Sequence, residues 1–123
     1  MAQRTLLFKT HVALGAKMTD FGGWEMPLEY PTRILQEHTA TRTAAGLFDC
    51  AHMGLLAIEG PGALSSLQRL VSRDLDGMAD GQGRYTLLTT AQGTVLDDLV
   101  IFKQADRKYF VVTNAGTFAR DET

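Results

Sequence analysis

Between Gly93 and Asn114 two apolar stretches flank a polar interval, with Val95-Leu96 and Leu99-Val100-Ile101-Phe102 before Gln104–Lys108 and Tyr109-Phe110-Val111-Val112 after it. Branched and aromatic residues fill both arms, which suits a pleated, half-buried backbone and predicts a hairpin. Arg84–Thr90 reads as a further strand, joined to the hairpin by a turn at Ala91-Gln92-Gly93, and 77–83 reads as loop. Leu47–Glu59 also reads as extended, and Gly54 in its middle marks a bulge or the close approach of a ligand or another backbone. Helical spacing occurs twice. Ile34, Leu35, His38, Arg42 and Ala45 recur between Pro31, suited to a first helical position, and Gly46, suited to a helix end, and so predict a helix over about 31–45 with one face inward. Leu64, Leu67, Leu70 and Val71 predict a short amphipathic helix over 63–71, after the punctuation of Gly60-Pro61-Gly62.

The N-terminal text is less periodic, and residues 1–16 predict at most a short helix. Gly22-Gly23 separates two short segments as a tight turn, Pro27 confines the second of them to an edge or irregular path, and Trp24 is expected to be buried. Residues 115–123 read as the start of a helix. Hairpin, helix, strand, helix and three antiparallel strands together predict one α+β domain over 1–123, with helices packed on a mostly antiparallel sheet. Leu55–Ile58 and Leu99–Phe102 carry apolar residues at successive positions, so both sheet faces ask for cover, and two short helices cover only one. An uncovered apolar face favours self-association, and a homo-oligomer is expected.

Composition narrows the class. With 123 residues, 45% hydrophobic and 21% charged, the chain is in the range of a globular domain that buries its own core. A net charge of -2, with no Lys/Arg cluster longer than a dipeptide, gives nucleic acid no electrostatic footprint. The single cysteine, Cys50, excludes an internal disulfide, fits a reducing compartment and reads as a small buried hydrophobe. No apolar run approaches the roughly 20 residues of a membrane span, so the expected location is the cytoplasm, or the mitochondrial matrix in a eukaryote. His11, His38, His52 and Cys50 follow no metal-ligand spacing; His38 reads as a satisfied core histidine, and no metal is expected.

The candidate chemistry sits at Asp97-Asp98, inside the first arm of the hairpin. Neighbouring strand residues face opposite ways, so one carboxylate meets solvent while the other meets whatever covers the far face. A carboxylate held there loses hydration, which raises its pKa and suits a proton acceptor unless hydrogen bonds stabilise the charge. On residue type alone, acids that blunt an edge strand, or an ion pair with an unseen arginine, are the commoner reading of such a pair.

Several strings carry more than periodicity does. Asp20-Phe21-Gly22-Gly23-Trp24-Glu25-Met26-Pro27-Leu28-Glu29-Tyr30, Glu37-His38, Arg42 with Ala45-Gly46-Leu47-Phe48-Asp49, His52-Met53-Gly54, Tyr85, Gly93, Asp97-Asp98-Leu99 and Asn114-Ala115 stand in one consistent order. From about residue 8 to residue 121 this order resembles the N-terminal part of the aminomethyltransferase family, the T-proteins of the glycine cleavage system. Cys50-Ala51 departs mildly from the small residues more usual there. The resemblance implies transfer of the carbon of an aminomethyl group, carried on the lipoyl arm of H-protein, to tetrahydrofolate as co-substrate with release of ammonia. It implies that Asp98 is the essential aspartate beside the pterin, that Met53 and Tyr85 line the folate, that Leu99 and Val100 lend backbone contacts, and that Val112 and Asn114 form a strand end against the pterin. Lipoylated H-protein and folate are the implied partners. The family's chain continues into further domains, so these residues are expected to be an N-terminal piece that is inactive alone. Relatives with other roles are a non-catalytic folate-binding protein, linked to tRNA modification or iron–sulfur assembly, and the folate portion of a sarcosine- or dimethylglycine-oxidising enzyme. The Asp97-Asp98-Leu99 and His52-Met53-Gly54 strings argue against the non-catalytic relative.

Overall fold

The chain folds as two units, Met1–His52 and Met53–Thr123, described by a computed structural model over residues 2–118. In the first unit β1 (Gln3–Arg4), α1 (Phe8–Ala13), β2 (Lys17–Phe21), β3 (Trp24–Glu29) and α2 (Arg33–Thr43) follow one another, and the sheet order is β1-β3-β2. The double glycine makes the β2–β3 turn because both residues hold positive φ, 60° at Gly22 and 85° at Gly23, which a side chain would strain. Pro27 lies in the middle strand, not at an edge. β1 pairs only with Trp24 and Glu25, so that flank of β3 is open by the time Pro27 is reached, and the opposite strand shifts register at Lys17/Met18.

Burial in this unit falls on polar groups. Asp49, its side chain 2% exposed, accepts hydrogen bonds from the Thr5 hydroxyl at 2.7 Å, from His11 Nε2 at 2.9 Å and from the Ala51 N–H at 2.9 Å. His11 Nδ1 lies 2.7 Å from the Tyr30 hydroxyl, which continues the chain of bonds. Burial alone would push the Asp49 carboxyl up; the bonds from His11, Thr5 and Ala51, with the attraction of His11, outweigh it and hold the carboxyl below its ordinary value. Four expectations are corrected here. No residue of α2 is buried, with Ile34 and Leu35 both exposed, so its apolar face is uncovered among the described residues and His38 is not a core residue. Cys50 is exposed, and Trp24 is only half-buried.

The second unit contains β4 (Gly54–Glu59), α3 (Ala63–Leu70), β5 (Gly83–Thr89), β6 (Val95–Ala105) and β7 (Lys108–Thr113), in one antiparallel sheet of order β4-β7-β6-β5. The α+β class and the antiparallel pairing match the sequence reading. The hairpin turn is tighter than its polar interval suggested, since β6 runs through Gln104 and Arg107 takes the left-handed region at φ 56°. The extended segment is shorter, because 47–53 stays outside the strand. Gly54 opens that strand, and a Cβ there would overlap the side chains of Thr113 and Phe118, which is the close approach its position suggested. The expected helix start at 115–123 lies largely outside the described residues.

Among the described residues the core of this unit forms on one face only. Ala63, Leu67 and Val71 from the α3 segment pack with Leu75, Met78, Leu99, Ile101, Tyr109 and Val111. Period-two alternation sends Leu55, Val100, Phe102, Phe110 and Val112 to the other face, where Leu55 is 66% and Phe102 41% exposed. A large apolar side chain left half in water on one face while the other is closed marks a surface that awaits a ligand or a partner.

The Asp49 network sets an acid limit on the first unit. A folded carboxyl below its unfolded value contributes stability that is complete above the ordinary aspartate value near ~4 and is lost as the pH falls through the folded value. Thermal melts of the chain should therefore drop over that acid range, and Asp49→Ala should flatten the drop while costing about 1–3 kcal/mol at neutral pH. Melts with the same acid slope in both proteins would show that Asp49 is not the group responsible.

Candidate functional site

The register of β6 against β7 determines which of the two aspartates meets which residue. Val100 pairs with Val112, so two positions along the hairpin Asp98 stands opposite Asn114, just past the end of β7. On the other side of β6, Asp98 pairs with Leu87 and Val100 with Tyr85, which puts the tyrosine on the diagonal from Asp98 along the same face. Its hydroxyl donates to Asp98 Oδ2 at 2.8 Å. The hydrogen bond to Asp98 is the first cause that raises the Tyr85 phenol above its ordinary value, followed by partial desolvation and the charges of Asp98 and Asp97, so Tyr85 stays a protonated donor. The Asn114 amide nitrogen lies 3.2 Å from Asp98 Oδ1 and 3.0 Å from the Asp98 carbonyl oxygen.

The sequence argument that a desolvated carboxylate is the reactive one applies to Asp97, not to Asp98. Asp97 is on the α3 side with Leu99 and Ile101 and is 8% exposed, whereas Asp98 is on the open face. Asp97 accepts from Asn114 Nδ2 at 2.9 Å, from the Asn114 N–H at 3.4 Å and from the Thr117 hydroxyl at 2.7 Å. Those bonds give both oxygens of the buried carboxylate a donor.

The remaining candidates divide between the two faces. Val100 and Val112 are half-buried neighbours on the Asp98 face. Leu99, 4% exposed, sends its side chain into the core and offers the open face only its backbone. Met53 is half-buried and immediately precedes Gly54, which pairs with Thr113, so it stands at the sheet end that holds Asn114. Sequence reasoning did not single out Phe102 or Thr117. Phe102 was recoverable, since 98, 100 and 102 share a face by alternation; Thr117 carries no signal in a stretch with no strand period.

Such a face suits a flat ligand with polar edges. Tyr85, Val100, Phe102 and Val112 form apolar wall, and Asp98 and Asn114 place fixed polar groups at one end. A concavity of about 630 Å³ lies in the first unit among Leu7, Leu14, Pro31, Leu47 and Phe48. Its titratable groups, His11, Tyr30 and Asp49, are bonded to one another, so the more accessible chemistry is at Asp98. Among the described residues no three His, Cys, Asp or Glu side chains converge, and no helix is long and apolar enough to cross a membrane.

The chain is similar to known proteins over nearly its whole length. The family model described as the GCVT N-terminal domain matches residues 7–123. An aminomethyltransferase of Acidobacterium capsulatum is 44% identical over 119 residues, 97% of this chain and 31% of that protein. One from Anoxybacillus flavithermus is 42% identical over 121 residues, 98% of this chain and 33% of its own length. The crystal structure of glycine cleavage system aminomethyltransferase T from Bartonella henselae superposes with a TM-score of 0.92 at 40% identity, covering 98% of this chain and 34% of that one. The chain thus spans about a third of the length of these relatives. With a family model over nearly all of its residues and identities above 40% across its length, the chain belongs to the aminomethyltransferase family, in the part described by the GCVT N-terminal domain.

Proposed function

We propose that this chain carries the aspartate-bearing part of the tetrahydrofolate site of a glycine cleavage aminomethyltransferase. The overall reaction moves the methylene carbon of aminomethyl-lipoyl H-protein to tetrahydrofolate, releases ammonia, and leaves dihydrolipoyl H-protein and 5,10-methylenetetrahydrofolate. One observation carries the reading: the Asp98 carboxylate stands beside Val100 and Val112 on a sheet face that nothing covers among the described residues, within hydrogen-bond distance of Tyr85 and Asn114. Lipoylated H-protein is the second partner, and the cytoplasm or the mitochondrial matrix is the proposed location. Among the described residues that face is open to water, with Leu55 and Phe102 exposed on it, which supports self-association.

Tetrahydrofolate, when bound, supplies the amine that takes up the carbon. The residues of this chain hold and polarise. Ionised Asp98 is an acceptor only, so it can orient an N–H of the reacting amine, stabilise positive charge that develops beside it, or accept the proton that leaves. Tyr85 and Asn114 each direct a donor to a different oxygen of Asp98, which restricts rotation of the carboxylate and leaves lone pairs facing the open side. Val100, Val112 and Phe102 can lie against the flat part of the ligand and exclude water from it. Met53 and the backbone of Leu99 and Val100 complete the proposed lining.

Two measurements test this reading. In the full-length enzyme that carries this segment, Asp98→Asn should lower kcat by at least about 100-fold, the lower end of what a proton-transfer group contributes, with a smaller change in KM for tetrahydrofolate. Retained turnover would show that Asp98 is not the group that acts on the reacting amine. Calorimetric titration of this chain alone should give much weaker tetrahydrofolate affinity than the full-length enzyme, because each lost ~1.4 kcal/mol of contact costs about tenfold. Equal affinities would mean that the other two thirds contribute nothing to the site.

A further inference from the structure

Asp97 is buried, yet its bonds lead to the open face. Its Oδ1 faces the Asn114 amide nitrogen at 2.9 Å, and its Oδ2 faces the Asn114 N–H at 3.4 Å and the Thr117 hydroxyl at 2.7 Å. Thr117 in turn closes the turn after β7, with its N–H 3.4 Å and its hydroxyl 3.2 Å from the Asn114 carbonyl oxygen. The same Asn114 amide nitrogen reaches the carbonyl and Oδ1 of Asp98. Three oxygens of the aspartate pair therefore surround one amide group, and none of them can donate when both carboxylates are ionised. Turning the amide over would set its Oδ1 against all three. The amide orientation is consequently dictated by chemistry, and both N–H bonds of Asn114 are directed at oxygens of the aspartate pair.

We propose that Asp97 is a positioning residue for the folate site: it fixes the Asn114 amide so that Asn114 Oδ1, beside the Asp98 carboxylate, faces the ligand as a second acceptor. The role rests on the assignment of Asp98 and Asn114 to the tetrahydrofolate site. Its consequence is a rule of specificity. A site that offers two acceptors and no free donor at this end selects a ligand edge that donates, as the N–H-bearing edge of a reduced pterin does, and rejects one that presents acceptors there. Adjacent positions in one strand thus divide the work between the faces of the sheet, with the buried member orienting the group that reads the ligand and the exposed member meeting the reacting atoms.

A double-mutant cycle in the full-length enzyme tests it, with KM for tetrahydrofolate and kcat read separately. Asn114→Ala should raise KM about tenfold, the loss expected for one ligand hydrogen bond in a desolvated site. Asp97→Asn, whose own amide no longer dictates the orientation of Asn114, should raise KM in the same direction with kcat changed much less, and the double variant should be no worse than Asn114→Ala alone. Effects that multiply in the double variant, or an Asp97→Asn enzyme with unchanged KM while Asn114→Ala is impaired, would overturn the positioning role and leave the folate site standing. An unchanged KM in Asn114→Ala would remove the site assignment and the positioning role together. Should Asp97→Asn not fold, the wild-type protein carries the test, because the side-chain amide protons of Asn114 should exchange with solvent much more slowly than those of a free amide. Exchange at the free-amide rate would contradict the proposal.

Discussion

The alternation of side chains along β6 is the constraint on which the site depends. Because consecutive residues of a strand face opposite ways, Asp97 and Asp98 are separated by a sheet although they share a peptide bond. One belongs to the face that α3 closes with Leu67 and Val71, and the other belongs to the face that stays open. A shift of one residue in the pairing of β6 with β7 would exchange them, placing Asp98 in the core and Leu99 in water. Register is held where it matters by Ile101 opposite Val111 under the helix, so the hydrophobic core and the placement of the candidate carboxylate are the same fact seen from two sides.

The two units are stabilised in different ways. The second closes an apolar layer of Leu, Ile and Val side chains between a helix and a sheet. The first has few buried apolar residues among those described, Met26 being one, and it gathers instead around a buried carboxylate, a histidine and two hydroxyls. Polar networks of that kind hold geometry at the cost of sensitivity to protonation, whereas an apolar core is indifferent to it.

Much of this was legible in the sequence because it depends on local signals. The β2–β3 turn followed from two glycines that tolerate positive φ, α3 from its apolar stripe, and the β6–β7 hairpin from branched and aromatic arms. What was misread depends on non-local partners. α2 has a helical period, but period alone does not say what covers it, and among the described residues nothing does. Cys50 is of a type usually buried, yet it lies in an irregular stretch between α2 and β4. Pro27 was excluded from a middle strand by a rule that assumes a neighbour along the whole length, and β1 is only two residues long. At the site, the resemblance points to Asp98 whereas the desolvation argument by itself points to Asp97, whose hydrogen bonds from Asn114 and Thr117 are invisible in the sequence.

The central claim is that the open face of the β4-β7-β6-β5 sheet, with Asp98 at its end, receives the reduced folate. The most direct measurement is a titration of this chain with tetrahydrofolate followed by residue-resolved NMR, which detects weak binding as well as strong. Shifts concentrated at Tyr85, Asp98, Val100, Phe102, Val112 and Asn114, with Leu67 and Leu75 on the closed side unmoved, are the predicted result. Shifts confined to the concavity around Leu7, Leu14 and Phe48 in the first unit, or to the α3 side of the sheet, would contradict it.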